Sequence, residues 1–371
     1  MAISSISIGT FTSRNTAAFM RCPPAVGYAG ECASGTCRFP PGRRLWTLPS
    51  AAVGSNPGKA VATDMRRSSL DLPPLDAEIE RLSLGEYVRE LDDQGLCVVP
   101  PERTGFGPDF AKRGRRALLA VASERTGGRF DLADGCIDEL DGPAAAIGQF
   151  FVTHLIYAGQ EHGPEVGGVF EEIAVNPVKK AMLRHLLGDV HRMSTSNGWI
   201  KWRTPDSHEG PFTTPLHADT DPAAPRPWPV ATPYVANMNW LLTDYSRDDG
   251  AFCYVPESHR RGTTPRFPEA AAKAVPVEAP AGSLVMFHGA TWHGSFRKRT
   301  PGLRLSIHGL HCRPYYIPQQ DYRGNLAAET FARSADPGYL RMLAREDDPW
   351  LQERHGVTFV APKVKLAAAE G

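Results

Sequence analysis

The clearest periodicity in the chain lies at 303–308, where Leu303, Leu305 and Ile307 alternate with Arg304, Ser306 and His308. A period of two assigns a β-strand with one apolar and one polar face. A row of polar groups facing one way predicts the lining of an open barrel. From Met193 onward the texture is similar: short apolar runs are separated by Gly, Pro and Asp. These runs predict strands over Trp199–Trp202, Tyr234–Thr243, Phe252–Val255, Gly282–His288 and Leu303–His311. Their irregular spacing, with turn residues between, indicates a sandwich or jelly roll rather than βαβ units.

The first half of the chain carries a helical pattern instead. Ser83-Leu84-Gly85-Glu86 reads as a capping box, followed by Tyr87, Val88 and Leu91 at helical spacing and by Gly95 as a stop. Leu96–Val99 reads as a short strand closed by Pro100-Pro101, and Phe110–Ser123 as a second helix. Asn176-Pro177 is an N-cap and first-turn pair for a helix running to Leu187, with Gly188 just past its end. After Asp321 the chain turns helical again and ends in a polar, Ala-rich tail. The expected class is mainly β with flanking helices (α+β). The expected organisation is a leader over 1–66, one β-rich domain with N-terminal helices over 67–325, and a helical extension over 326–371.

Composition narrows the range of partners. Lys plus Arg and Asp plus Glu both number 41, for a formal charge of +0. This balance argues against nucleic acid or an anionic membrane surface, which select for a net basic face. The longest apolar stretch, Ile147–Ala158, contains Gln149, Thr153 and His154 and is too short to span a bilayer. The seven cysteines include no CxxC pair and read as free thiols of a reducing compartment. The leader differs from the rest. Residues 1–62 hold one acidic residue, Glu31, against Arg14, Arg21, Arg38, Arg43, Arg44 and Lys59, amid many Ser, Thr, Ala, Gly and Pro. Two readings stand: a transit peptide to a plastid or mitochondrion, or a disordered extension or untranslated upstream sequence before a start at Met65, which leaves the protein cytoplasmic.

Candidate chemistry centres on His217-Ala218-Asp219. On a strand, residues i and i+2 share a face, so this imidazole and carboxylate can bind one metal ion. His293 lies 76 residues downstream in Trp292-His293-Gly294 and supplies a third ligand. Two histidines and one carboxylate form the facial set of non-haem Fe(II) oxygenases, although the same donors accept Mn or Zn. Arg304, 11 residues after His293 and on the same strand face as Ser306, offers a forked donor and a hydroxyl to a carboxylate. A zinc or cupin-like barrel, either an isomerase or a non-catalytic binding module, is the alternative reading, and Arg304 is what argues against it.

Other side chains receive lesser roles. His288 is the rival for the distal ligand, but its place at a strand end before Gly289 suggests a structural role. His259 reads as a loop-closing turn histidine, and His308 as either a cavity or a core histidine. Asn237 and Asn239 can reach a co-substrate or pair within the core, while Trp199 and Trp202 read as packing. The proline-rich loop Asp221–Pro233, with Arg226 and Trp228, is either a stiff connection or part of an entrance.

Four stretches together carry a resemblance. They are Thr214-Pro215-Leu216-His217-Ala218-Asp219, Asp248-Asp249-Gly250-Ala251 leading to Val255-Pro256-Glu257-Ser258-His259, Phe287 through Ser295, and Arg304. In this order and spacing, the segment from about Leu84 to Arg323 resembles the phytanoyl-CoA dioxygenase family of Fe(II)/2-oxoglutarate oxygenases. The opening Asp92–Pro100 resembles that family's usual start. The resemblance implies a double-stranded β-helix (jelly roll, cupin-like) core, with His217, Asp219 and His293 as iron ligands. It also implies that Arg304 holds the distal carboxylate of 2-oxoglutarate. The implied activity is hydroxylation of a small-molecule or lipid-derived substrate, with ascorbate as a reductant such enzymes accept. Two departures fall near the expected co-substrate pocket: Arg203-Thr204-Pro205 stands where the family often has Lys-Pro-Pro, and Asn239 where some members place Trp. Arg203 and Asn239 therefore join Arg304 and Ser306 as candidate co-substrate contacts. Asp219 favours hydroxylation over halogenation, because related halogenases lack that carboxylate.

Overall fold

The computed structural model describes residues 72–220, 227, 232–327 and 342–343. The leader with Cys22, Cys32 and Cys37, the loop residues Arg226 and Trp228, and nearly all of the expected C-terminal extension lie outside the described residues.

Twelve strands are formed among the described residues: β1 (Leu96–Val99), β2 (Phe130–Asp131), β3 (Gly135–Cys136), β4 (Gln149–Val152), β5 (Arg192–Lys201), β6 (Phe212–His217), β7 (Val235–Leu241), β8 (Phe252–Tyr254), β9 (Val275–Pro276), β10 (Leu284–His288), β11 (His293–Phe296) and β12 (Arg304–Cys312). Six of them make one antiparallel sheet in the order β1-β10-β7-β12-β5-β4, and a second sheet runs β6-β11-β8-β9. Non-sequential neighbours in both sheets give the expected jelly-roll core. A separate hairpin pairs β2 with β3.

The alternation along β12 sorts its side chains between two layers. Leu305 and Ile307 join Ile200, Met238, Trp240 and Met286 in a core beneath the helices Phe110–Thr126, Pro164–Val175 and Pro177–Leu187. Leu118 and Phe170 reach this core from the helices and are essentially unexposed, each contributing on the order of 1.5–3 kcal/mol of apolar burial. Gly198 is what lets the first of these helices sit so close, since a Cβ there would overlap the Leu118 side chain. Arg304, Ser306 and His308 face the other way, into the space between the sheets.

Several local expectations are corrected. The capping box does not form: Ser83 takes a left-handed backbone (φ 54°), and the helix Gly85–Gln94 has Leu84 at its N-cap with no side-chain cap. Its Gly95 stop is in place at φ 80°. Asn176 does cap, its side chain accepting from Lys179 N–H at 3.0 Å. Strand β4 and the helix Pro164–Val175 form where no element was expected, and β5 begins at Arg192, seven residues before the expected start. Cys97, Cys253 and Cys312 are buried free thiols.

Candidate metal centre and carboxylate anchor

His217 ends β6 and His293 opens β11, and the two are direct cross-strand partners. Their ring centroids lie 4.3 Å apart. Asp219 is not on the strand with His217, contrary to expectation, because β6 stops at His217. The chain bends there, and the Asp219 and Thr220 N–H groups both donate to the Gly289 carbonyl, at 2.9 and 3.1 Å. The bend places Asp219 Oδ1 3.5 Å from His217 Nε2 and Oδ2 3.4 Å from His293 Nε2. One ligand atom from each residue falls within 4.8 Å of the others.

Neighbouring carbonyls set the imidazole tautomers. His217 Nδ1 lies 2.9 Å from Pro215 O and His293 Nδ1 2.9 Å from Thr291 O. A carbonyl accepts only, so each Nδ1 carries the proton and each Nε2 turns a bare lone pair toward Asp219. Two lone pairs and a carboxylate facing one point repel one another unless a cation lies between them. Burial pushes the His293 imidazole down to about 4, with Asp219 pulling the other way. Burial opposes ionisation of Asp219, but His293, His217, His308 and the Asn237 amide outweigh it and hold the carboxyl below its usual range. The donor set and its protonation thus suit a divalent metal.

A second layer orients the carboxylate. Asn237 Nδ2 donates to Asp219 Oδ2 at 2.8 Å, and His308 Nε2 lies 3.1 Å from Asn237 Oδ1. Since the amide nitrogen faces the carboxylate, the amide oxygen must accept, which makes His308 Nε2 the protonated nitrogen. Its Nδ1 is buried without a partner.

The triad opens onto a cavity of about 310 Å³ whose walls include Asn239, Tyr245, Arg304, Ser306 and His308. Arg304 is 5% exposed. Its Nη1 donates to Gly250 O at 2.8 Å, its guanidinium lies 4.6 Å from the Tyr245 ring centroid, and its Nε is buried without an acceptor. Asn239 Oδ1 is likewise unpartnered. Both residues line the one cavity, and buried polar atoms are as a rule hydrogen-bonded.

Other expected residues separate cleanly. His288 stands outside the cluster, its Nδ1 accepting from Ala290 N–H at 3.0 Å. His259 ties its loop to the Asp92 carbonyl at 3.1 Å. Arg203 is a correction: its side chain is 62% exposed, pairs with Asp206 at 3.3 Å and does not line the cavity. The physical reason is that β5 ends at Lys201, so the chain has left the sheet before Arg203. Trp199, expected only to pack, lines the cavity beside Phe151, whereas Trp202 packs against the core.

Lys201 was not anticipated. It is wholly buried, and its ammonium donates to Phe296 O at 2.5 Å, Ser295 Oγ at 2.9 Å and Gly250 O at 3.4 Å. Burial, reinforced by Arg304, holds it well below the usual lysine range. Its one sequence signal is that it shares a strand face with Trp199.

Two imidazoles and one carboxylate converging at the mouth of an Arg-lined cavity within a jelly roll have the donor set of a facial-triad metal site. Residues 134–306, which contain all three converging groups together with Arg304 and Ser306, match the family model of phytanoyl-CoA dioxygenase (PhyH). Among curated relatives, the dioxygenase af480 of Aspergillus fumigatus is 28% identical over 183 residues, covering 49% of this chain and 56% of that protein. The uncharacterized protein Rv1501 of Mycobacterium tuberculosis is 31% identical over 154 residues, covering 39% and 52%. The chain thus spans about half the length of the curated relatives it matches. Among solved structures, HygX from Streptomyces hygroscopicus with nickel and 2-oxoglutarate bound aligns at TM-score 0.45 and 18% identity, covering 68% of this chain and 94% of that one. The epimerase SnoN from nogalamycin biosynthesis aligns at TM-score 0.44 and 18% identity, covering 71% and 93%. No helix among the described residues is long and apolar enough to cross a membrane.

Proposed function

We propose that the protein is a non-haem Fe(II)- and 2-oxoglutarate-dependent dioxygenase that hydroxylates a small-molecule or lipid-derived substrate, releasing succinate and CO2. The observation that carries this reading is the meeting, in one cavity, of a three-donor cluster and a buried guanidinium with an unpartnered nitrogen. His217, Asp219 and His293 would hold iron through the two Nε2 atoms and the carboxylate. Iron, when bound, supplies activation of dioxygen coupled to decarboxylation of the co-substrate. Arg304 receives the distal carboxylate of 2-oxoglutarate, and the Ser306 hydroxyl lies on the same wall. Asn237 keeps the Asp219 carboxylate turned toward the metal position. Phe252, Phe287 and Trp199 line the rest of the cavity and exclude water. An inert cupin-like barrel would have no use for a buried arginine at this place. The family match and the dioxygenase relative support the same class.

The decisive experiment loads the protein with Fe(II) anaerobically, adds 2-oxoglutarate, then admits oxygen and follows oxygen uptake and succinate. Substrate-free turnover that is lost in Arg304→Met is the expected result. Absence of both 2-oxoglutarate binding and turnover in the wild type refutes the reading. Incubation with metabolite extract, screened for mass gains of one oxygen, identifies the substrate. Ascorbate enters only as a reductant that sustains turnover.

A further inference from the structure

Arg304 on β12 and Lys201 on β5 are direct cross-strand partners. Like charges placed opposite each other on neighbouring strands repel, and here both are buried, at 5% and 0% exposure. Among the described residues neither is within ion-pair distance of a carboxylate. The nearby Asp249 is engaged by Lys298, at 3.2 Å, and by the Ser246 and Thr300 hydroxyls. Instead, one backbone oxygen, Gly250 O, accepts from both cations. A pair of buried cations bridged only by a carbonyl is costly in a low-dielectric interior unless an anion completes it.

Lys201 itself does not face the cavity. Its ammonium acts through two neighbours that do connect to it. Ser295 Oγ accepts from Lys201, and its own hydroxyl donates to Thr214 Oγ1 at 3.1 Å; Ser295 and Thr214 both line the cavity. The shared Gly250 carbonyl holds Arg304 Nη1, leaving the rest of the guanidinium fork to the ligand. Strand geometry fixes which end of a ligand this is. At about 3.4 Å per residue, His308, which contacts the Asp219–Asn237 pair, lies four residues along β12 from Arg304. The cationic pair therefore marks the end of the cavity away from the metal position.

We propose that Lys201 is a positioning residue that makes this end selective for a dianionic 2-oxo acid. It sets a second positive charge behind Arg304 at the distal-carboxylate end and, through the shared Gly250 carbonyl, fixes the Arg304 fork that meets the carboxylate. The inference rests on the co-substrate reading above and adds a second cation to it. A purely structural Lys201 would serve only to join β5 to β11, and its loss would weaken every ligand alike.

The test uses the Mn(II)-loaded protein under calorimetry with two keto acids: 2-oxoglutarate, and 2-oxopentanoate, which is equally long but lacks the distal carboxylate. Lys201→Met should weaken 2-oxoglutarate by about tenfold or more, the scale of one lost charge interaction, and change 2-oxopentanoate by less than about threefold. Lys201→Arg, which keeps the charge, should restore 2-oxoglutarate affinity to within about threefold. Should Lys201→Met not fold, Lys201→Gln, which keeps a donor to Ser295 without the charge, carries the same comparison. Unchanged 2-oxoglutarate affinity, or equal weakening of both acids, overturns the proposal while leaving the co-substrate reading intact. Wild-type protein that binds neither acid overturns both.

Discussion

Asn237 offers a sensitive probe of the centre because it touches Asp219 without being a donor to the metal position. It is fully buried on β7, and its amide donates to Asp219 Oδ2 at 2.8 Å while its oxygen meets His308 Nε2 at 3.1 Å. Asn237→Ala removes one hydrogen bond to a charged group, which is worth about 1.5–3 kcal/mol. At 1.36 kcal/mol per decade, that predicts a loss of metal affinity of about 10- to 100-fold, the range found for groups that orient metal ligands. It also strands the His308 N–H, at about 1–3 kcal/mol of fold stability. The two effects are read separately. Mn(II) or Zn(II) affinity is measured by chelator competition, and stability of the metal-free protein by urea unfolding. Asn237→Asp should be worse than alanine for metal-free stability, since it sets a second carboxylate against Asp219, yet part of its metal affinity should survive. If Asn237→Ala lowers stability but binds metal as tightly as the wild type, Asp219 is not held by this amide for metal binding, and the assignment of the centre fails.

Three further outcomes follow from the same geometry. His293→Ala should abolish metal binding while His288→Ala retains it, because His288 Nδ1 is engaged by the Ala290 N–H; the reverse pattern, read by metal content, would overturn the choice of ligand. Gly294→Ala should disrupt the centre, since a Cβ there lands on the Thr214 carbonyl between β11 and β6; a loss of metal affinity with little change in far-UV circular dichroism is expected. His191 and His311 form a buried pair, with ring centroids 6.1 Å apart. Burial, with Lys179 adding to it, pushes His191 down from an ordinary 6.5 to about 4 and His311 well below its usual value. The unfolded chain therefore binds more protons, so stability is full above pH 6.5 and falls as pH drops toward 4, by about 3 kcal/mol for His191 alone. His191→Gln/His311→Gln should flatten that slope in urea titrations at several pH values.

The β12 strand was legible because alternation survives wherever one face meets a core and the other a cavity: Leu305 and Ile307 against Arg304, Ser306 and His308. The three converging groups were legible as residue types, but not their manner of convergence. Asp219 reaches His217 through a bend pinned by the Gly289 carbonyl, a long-range backbone contact with no local signature. Lys201 was invisible for a related reason. A single lysine between Ile200 and Trp202 looks solvated until the strand that buries it is known. Arg203 failed in the opposite direction, because motif position cannot report that a strand has ended two residues earlier. Helix Pro164–Val175 escaped because Gly167 and Gly168 interrupt its pattern, and Gly167 is there to let the neighbouring backbone at Gly159 approach.

The Gly289 carbonyl has a consequence for how such a protein can change. It receives the Asp219 and Thr220 N–H groups, while the Gly289 N–H donates to the Val235 carbonyl at 3.0 Å. A single residue, through its N–H and its C=O, thus knots the ends of β6, β7 and β10 together at the point where the three donors meet. Asp219 itself lies just past the end of β6, so the donors are placed by strand ends and this one residue. A change of sequence at the rim that leaves Gly289 and the three strand ends intact leaves the donor atoms where they are, so the donor cluster and the shape of its surroundings can be inherited separately.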